Sequence, residues 1–140
     1  MRFLRTRISV STTIDAPPAR VWEDVRVLAS HVDWMADAEA IRFTSDRRDG
    51  VGTTFECDTK VGPFRLVDHM EVTEWVEGSV IGVRHVGVVT GTGRFTLTPE
   101  GLFGRRTRFT WDEEIGVPWV AGLFLRLIWR RNLRRLRRRF

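Results

Sequence analysis

The chain has 140 residues, 42% of them hydrophobic and 29% charged, which suits one domain with a single sizeable core. Its one cysteine, Cys57, excludes an intrachain disulfide and a cysteine-rich metal site, and points to a reducing, cytoplasmic setting. The net charge is +5, but residues 126–140 hold eight arginines and no acid, which leaves −3 for the rest. The basicity is therefore local, and the partners of the body cannot be read from the overall charge.

Met1 to Val10 carries arginines and no apolar run, so no signal peptide is expected. Ile8, Val10, Thr12 and Ile14 alternate with polar residues and predict a first strand. Asp15-Ala16-Pro17-Pro18 ends it, and Val21, Trp22, Val25 and Leu28 recur at helical spacing. A second short helix is expected over Ser30–Met35, with Ser30 as N-cap and Asp33 at the capping-box position.

From Ala40 the period becomes two. Strands are expected at about 40–45, 53–61, 64–75, 80–86, 89–98 and 107–115, separated by the turn pairs Asp49-Gly50, Gly62-Pro63, Glu77-Gly78 and Glu100-Gly101. Such short links favour antiparallel hairpins. The chain closes with a helix predicted over Pro118–Phe140, Pro118 taking its first position. The front half of that helix is apolar nearly all round and predicts burial. The back half keeps only the stripe Trp129, Leu133, Leu136 and Phe140. The run Val117–Ile128 is too short to cross a membrane and contains Arg126.

The order is strand, two helices, six strands, long helix. Ile14-Asp15-Ala16-Pro17, Val21-Trp22, Trp34-Met35, Gly50-Val51-Gly52-Thr53 and Arg106-Thr107-Arg108-Phe109-Thr110-Trp111 stand at matching places along it. In this the sequence resembles the START-like, helix-grip superfamily (SRPBCC, the polyketide cyclase/dehydrase and lipid-transport type). The resemblance runs through nearly the whole chain. It implies an α+β helix-grip fold over residues 1–140, a curved antiparallel sheet of about seven strands around the C-terminal helix, with a basic helical end at 126–140. It also implies a cavity between sheet and helix for a small apolar or amphipathic ligand. Trp34, Met35, Phe55, Leu66, Met70, Phe95, Phe109, Trp111, Val120, Phe124 and Leu127 are the residues expected to line it. The arginine-dense end departs from the family pattern.

No Gly-x-Ser-x-Gly, P-loop or His-Glu-x-x-His motif is present, and Gly91-Thr92-Gly93 lacks the following helix of a dinucleotide site. His31, His69 and His85 have no ligand spacing, so neither metal nor cofactor is expected, and His31 reads as a surface residue. Glu113 is the leading acid/base candidate, since it shares a strand face with Phe109 and Trp111 and burial raises a carboxyl pKa. Asp68 and Arg84 are candidates by the same logic, an inward Arg–carboxylate pair being able to orient a carbonyl or carboxylate. Period-two alternation sets Arg84 and His85 on opposite faces, so only a bulge could turn both inward.

Three functions remain open at this point. The leading one is a binding module for a small apolar ligand. The second is a cyclase/dehydrase-type enzyme using Glu113 with Arg84 or Asp68. The third is peripheral contact with an anionic membrane or RNA through Arg130, Arg131, Arg134, Arg135, Arg137, Arg138 and Arg139. The apolar stripe of the same helix could equally pack on a second copy of the chain in a homodimer.

Overall fold

The structure, a computed structural model, describes residues 5–140. Its elements are β1 (Thr6–Ile14), α1 (Pro18–Val25), a 3-10 segment (Leu28–Asp33), β2 (Ala38–Phe43), β3 (Thr54–Val61), β4 (Phe64–Val76), β5 (Val80–Val86), β6 (Thr90–Glu100), β7 (Arg106–Ile115) and α2 (Trp119–Arg137). The strands form one antiparallel sheet in the order β1-β7-β6-β5-β4-β3-β2. This is the helix-grip α+β arrangement: a curved sheet with the long helix across one face and the short helices following the first strand.

Alternation decides which side chains face the helix. Ile8, Val10 and Ile14 of β1, Phe109, Trp111 and Ile115 of β7, and Phe95 and Leu97 of β6 are buried, while the residues between them are half-buried or exposed. The register places Val10 opposite Trp111 and Phe95 opposite Trp111, so the aromatic side chains converge. Trp34, wholly buried, sits among Phe95, Phe109 and Trp111 with ring centroids 5.8–6.2 Å away. Trp129 of α2 stacks on Trp111 at 4.8 Å.

Gly122 lets α2 approach β1. A Cβ built there would come within 2.6 Å of Thr6 Cγ2, so with Thr6 in place any larger residue would push the helix or that methyl aside. Farther along, Asn132 is fully buried and fastens the helix to the start of β2. Its Oδ1 accepts from the Ala36 N–H at 2.9 Å, and its Nδ2 donates to Asp37 at 2.7 Å.

Several expectations need correction. The second short helix is a 3-10 segment that begins at Leu28, and Ser30 does not cap it. The Ser30 hydroxyl donates to the Val27 and Asp24 carbonyls. β2 starts two residues earlier than expected, and Pro118 is the N-cap of α2 rather than its first helical residue. His31 is buried, its Nε2 2.8 Å from the Val25 carbonyl oxygen, and it packs on Trp34 and Phe95. Burial pulls its pKa down to about 4.

The largest correction concerns α2. Its front half does not bury all round: Val120, Leu123, Phe124 and Leu127 are 54–67% exposed, and Trp119 is 70% exposed. A helix laid along one strand buries a single stripe. Here that stripe is Gly122, Trp129, Asn132, Leu133 and Leu136, which leaves the opposite azimuth in solvent.

Candidate functional site: a histidine between two carboxylates

The inner face of the sheet carries a cluster of ionisable side chains inside its apolar field. His85 of β5 lies between Asp68 of β4 and Glu113 of β7. Its Nδ1 is 2.9 Å from each carboxylate oxygen of Asp68, and its Nε2 is 3.1 Å from Glu113 Oε2. The second Glu113 oxygen accepts from Trp111 Nε1 at 3.2 Å. The side chains of His85, Asp68 and Glu113 are only 6%, 12% and 9% exposed.

The contact between His85 and Glu113 is unusual in its reach. β6 runs between their strands, so two inter-strand spacings, about 9.5 Å, separate the backbones. The side chains meet because β6 presents glycines there: Gly91 lies opposite His85, and Gly93 lies opposite Glu113. A Cβ at Gly93 would stand 2.7 Å from Glu113 Oε1. The two glycines open a trough through which the glutamate crosses to the histidine.

A β-bulge brings the third member in. At the far end of the β4–β5 hairpin, Trp75 pairs with Ile81 and Glu74 with Gly82. The register then shifts at Thr73, so that Val72 pairs with Val83 and Met70 with His85. Uninterrupted pairing would set Val72 opposite Arg84 and turn Arg84 to the face of Asp68. The bulge gives that face to His85 instead. Arg84 lies on the outer face, 57% exposed, and its Nη2 donates to Glu71 at 2.7 Å. The structure therefore unites two of the three expected polar residues, Asp68 and Glu113, leaves Arg84 outside, and adds His85, which sequence reasoning missed.

The electrostatics follow from this geometry. Burial opposes the imidazolium, but hydrogen bonds to Asp68 and Glu113 and their negative charges outweigh it, so the His85 pKa is pushed up to about 10. Both ring nitrogens face carboxylate oxygens, and only the doubly protonated ring donates at both. Nearby Cys57, opposite Asp68 on β3, has its thiol raised to about 11, first by burial and further by the surrounding carboxylates, so it stays protonated at neutral pH. Asp37 is likewise raised, burial outweighing its bond from Asn132. Among the described residues, no group of three His, Cys, Asp or Glu side chains is arranged to hold a metal ion.

The expected apolar lining is scattered. Trp34, Phe95, Phe109 and Trp111 fill the interior as one aromatic cluster, Phe55 is buried against Phe43, and Met35, Leu66 and Met70 are half-buried. Val120, Phe124 and Leu127 face solvent on the outer side of α2. Trp34 Nε1 is buried without a hydrogen-bond partner among the described residues. A groove of about 550 Å³ crosses the outer face of the sheet instead, lined by polar side chains that include Arg7, Glu74, Arg94, Asp112 and Arg126. Another hollow of about 580 Å³ lies against Leu127, Arg131, Arg134, Arg135 and Arg138 of α2.

Solved structures share this architecture at low sequence identity. A START superfamily protein from Mycobacterium smegmatis superposes with a TM-score of 0.79 at 14% identity, over 95% of each chain. The ZhuI aromatase/cyclase from Streptomyces sp. R1128 does so with a TM-score of 0.73 at 16% identity, over 95% of this chain and 92% of that one. The protein XoxI from Bacillus cereus gives 0.78 at 15% identity, over 96% and 95%. At such identities the likeness speaks for the fold. No protein of curated function matches the sequence. The family model described as polyketide cyclase / dehydrase and lipid transport matches residues 5–140, and the chain belongs to that family.

Proposed function

We propose that the protein binds a small hydrophobic or amphipathic ligand between the sheet and α2, with the ligand's oxygen directed at the Asp68–His85–Glu113 group. The observation that carries this reading is that group itself. Burying three ionisable side chains costs several kcal/mol per ion before pairing returns part of it, and well-packed apolar residues would serve stability as well or better. A strongly perturbed histidine in an apolar interior is a functional-site signature. Trp34 Nε1 supports the reading as a buried donor without an acceptor among the described residues. Entry would part the half-buried Met35, Met70, Leu125 and Ile128 around α2, and flexible methionines suit that movement.

Native mass spectrometry of the purified protein, followed by titration with fatty acids, sterols and aromatic polyketones, tests the reading. A retained or titratable ligand whose affinity falls at least about tenfold in His85→Leu is expected, since a hydrogen bond to a charged group is worth about 1.5–3 kcal/mol. Failure to bind any member of the panel would remove the proposal.

A second reading, cyclase/dehydrase-type catalysis, is favoured by one specific feature: Glu113 and His85 form a base and an acid within hydrogen-bond reach of each other. In it the ligand carbonyl takes the place of Glu113 on His85 Nε2–H, the freed Glu113 carboxylate takes a proton from the carbon next to that carbonyl, and the imidazolium donates to the carbonyl oxygen, giving the enol. Exchange of that carbon-bound hydrogen with deuterium oxide, followed by NMR on a bound ketone, reports the step. Exchange that proceeds equally fast in Glu113→Gln would eliminate it.

A further inference from the structure

We propose that the outer face of α2 docks this protein on bilayers that contain anionic phospholipid. The inference is independent of the ligand reading, because it uses none of the interior residues. Val120, Leu123, Phe124 and Leu127 follow one another over two turns at the azimuth opposite Trp129, Leu133 and Leu136, and all four are more than half exposed. Four large apolar side chains on adjacent turns form a contiguous patch, which marks an interaction site on a soluble surface.

The same azimuth changes character toward the C-terminus. Arg131, Arg134, Arg135 and Arg138 continue the stripe and, with Leu127, surround the hollow of about 580 Å³. Arg135 Nη2 donates to the Asp33 carbonyl at 3.2 Å, but the charge of the other three is not spent internally. Arg42, Arg84 and Arg94 on the sheet, and Arg139 at the end of α2, each lie within 4 Å of a carboxylate. Among the described residues Arg130, Arg131, Arg134, Arg137 and Arg138 have no such neighbour, and no acid follows Glu114 in the chain.

The face thus presents an apolar half and a cationic half in line. A bilayer surface satisfies both together: the acyl boundary receives Leu123 and Phe124, and lipid phosphates accept paired N–H donors from the arginines. A nucleic acid would engage the arginines and leave the apolar turns wet. A second copy would pair the apolar turns and leave the arginines without counter-charge. No helix among the described residues is long and apolar enough to cross a membrane, so the contact is peripheral.

The test uses the full chain with sedimenting vesicles of phosphatidylcholine, with and without phosphatidylglycerol. Binding is expected only with the anionic lipid and should weaken steeply with salt. R131E/R134E should weaken it at least tenfold, since each arginine near an anionic surface contributes about fivefold. L123S/F124S should also weaken it about tenfold, although it leaves the charge unchanged. All four positions are exposed, and circular dichroism checks that the fold is kept. Vesicle binding indifferent to L123S/F124S would overturn the proposal. So would binding to single-stranded RNA in its place, or a dimer in size-exclusion chromatography that L123S/F124S dissolves while vesicles are ignored.

Discussion

Gly93 lies beneath the Glu113 carboxylate, and a methyl group at Gly93 would stand 2.7 Å from Glu113 Oε1. The absent side chain is what lets Glu113 cross β6 to His85. Gly93→Ala should therefore separate the two without touching either. The His85 pKa, read by NMR from its ring protons, should fall from about 10 toward its ordinary 6.5, with a stability loss of about 2 kcal/mol. An unchanged His85 titration would show that the pair does not depend on the glycine trough.

Stability should depend on pH through two histidines of opposite sign. The folded-state pKa of His85 is raised, so its contribution is complete below about 6.5 and is lost as pH climbs through about 10. That of His31 is lowered by burial, so its contribution is complete above about 6.5 and is lost as pH falls through about 4. The melting temperature should pass through a maximum near neutrality. His85→Leu should flatten the alkaline limb, and His31→Gln the acidic one. A variant that flattens the other limb contradicts the assignment.

Asn132 ties α2 to the loop before β2 from a wholly buried position. Asn132→Leu strands the Ala36 N–H and the Asp37 carboxylate together and should cost about 2–4 kcal/mol in urea denaturation. Asn132→Asp keeps the acceptor for Ala36 but sets a second carboxylate against Asp37. Its penalty should be larger at neutral than at acidic pH, where one of the two carboxyls takes up a proton. Equal penalties at both would show that the Asp37 contact carries little weight.

The approach of α2 to β1 gives a paired test. Gly122→Ala raises helix propensity by about 1 kcal/mol, yet its methyl would collide with Thr6 Cγ2. Net destabilisation is expected. Thr6→Ser removes that methyl and keeps the hydroxyl that donates to the Val117 carbonyl. The double variant should recover wild-type stability or exceed it. A stabilised single variant would mean that the helix can move off β1 freely.

The element order, the antiparallel hairpins and the inward faces of β1 and β7 were readable because period-two and period-3.6 patterns are local properties of the chain. Ile8, Val10, Phe109 and Trp111 needed no partner to announce their faces. Asp68 and Glu113 were visible on the same grounds. His85 was not, because its facing relative to Asp68 depends on one extra residue at Thr73, and a bulge of one residue leaves no periodic trace. Gly91 and Gly93 did leave a trace, two glycines on one face of a strand. That signal gains meaning only when β7 is known to lie beyond them.

Helix α2 divides along the same line. Its extent and its two compositions, apolar then arginine-rich, belong to the linear chain, since helical propensity and charge are local. Which side of its apolar half meets the sheet was settled by Gly122 seating on β1, an encounter between residues 116 positions apart. Contacts between segments distant along the chain follow from packing shape and strand register, and a one-dimensional pattern carries neither.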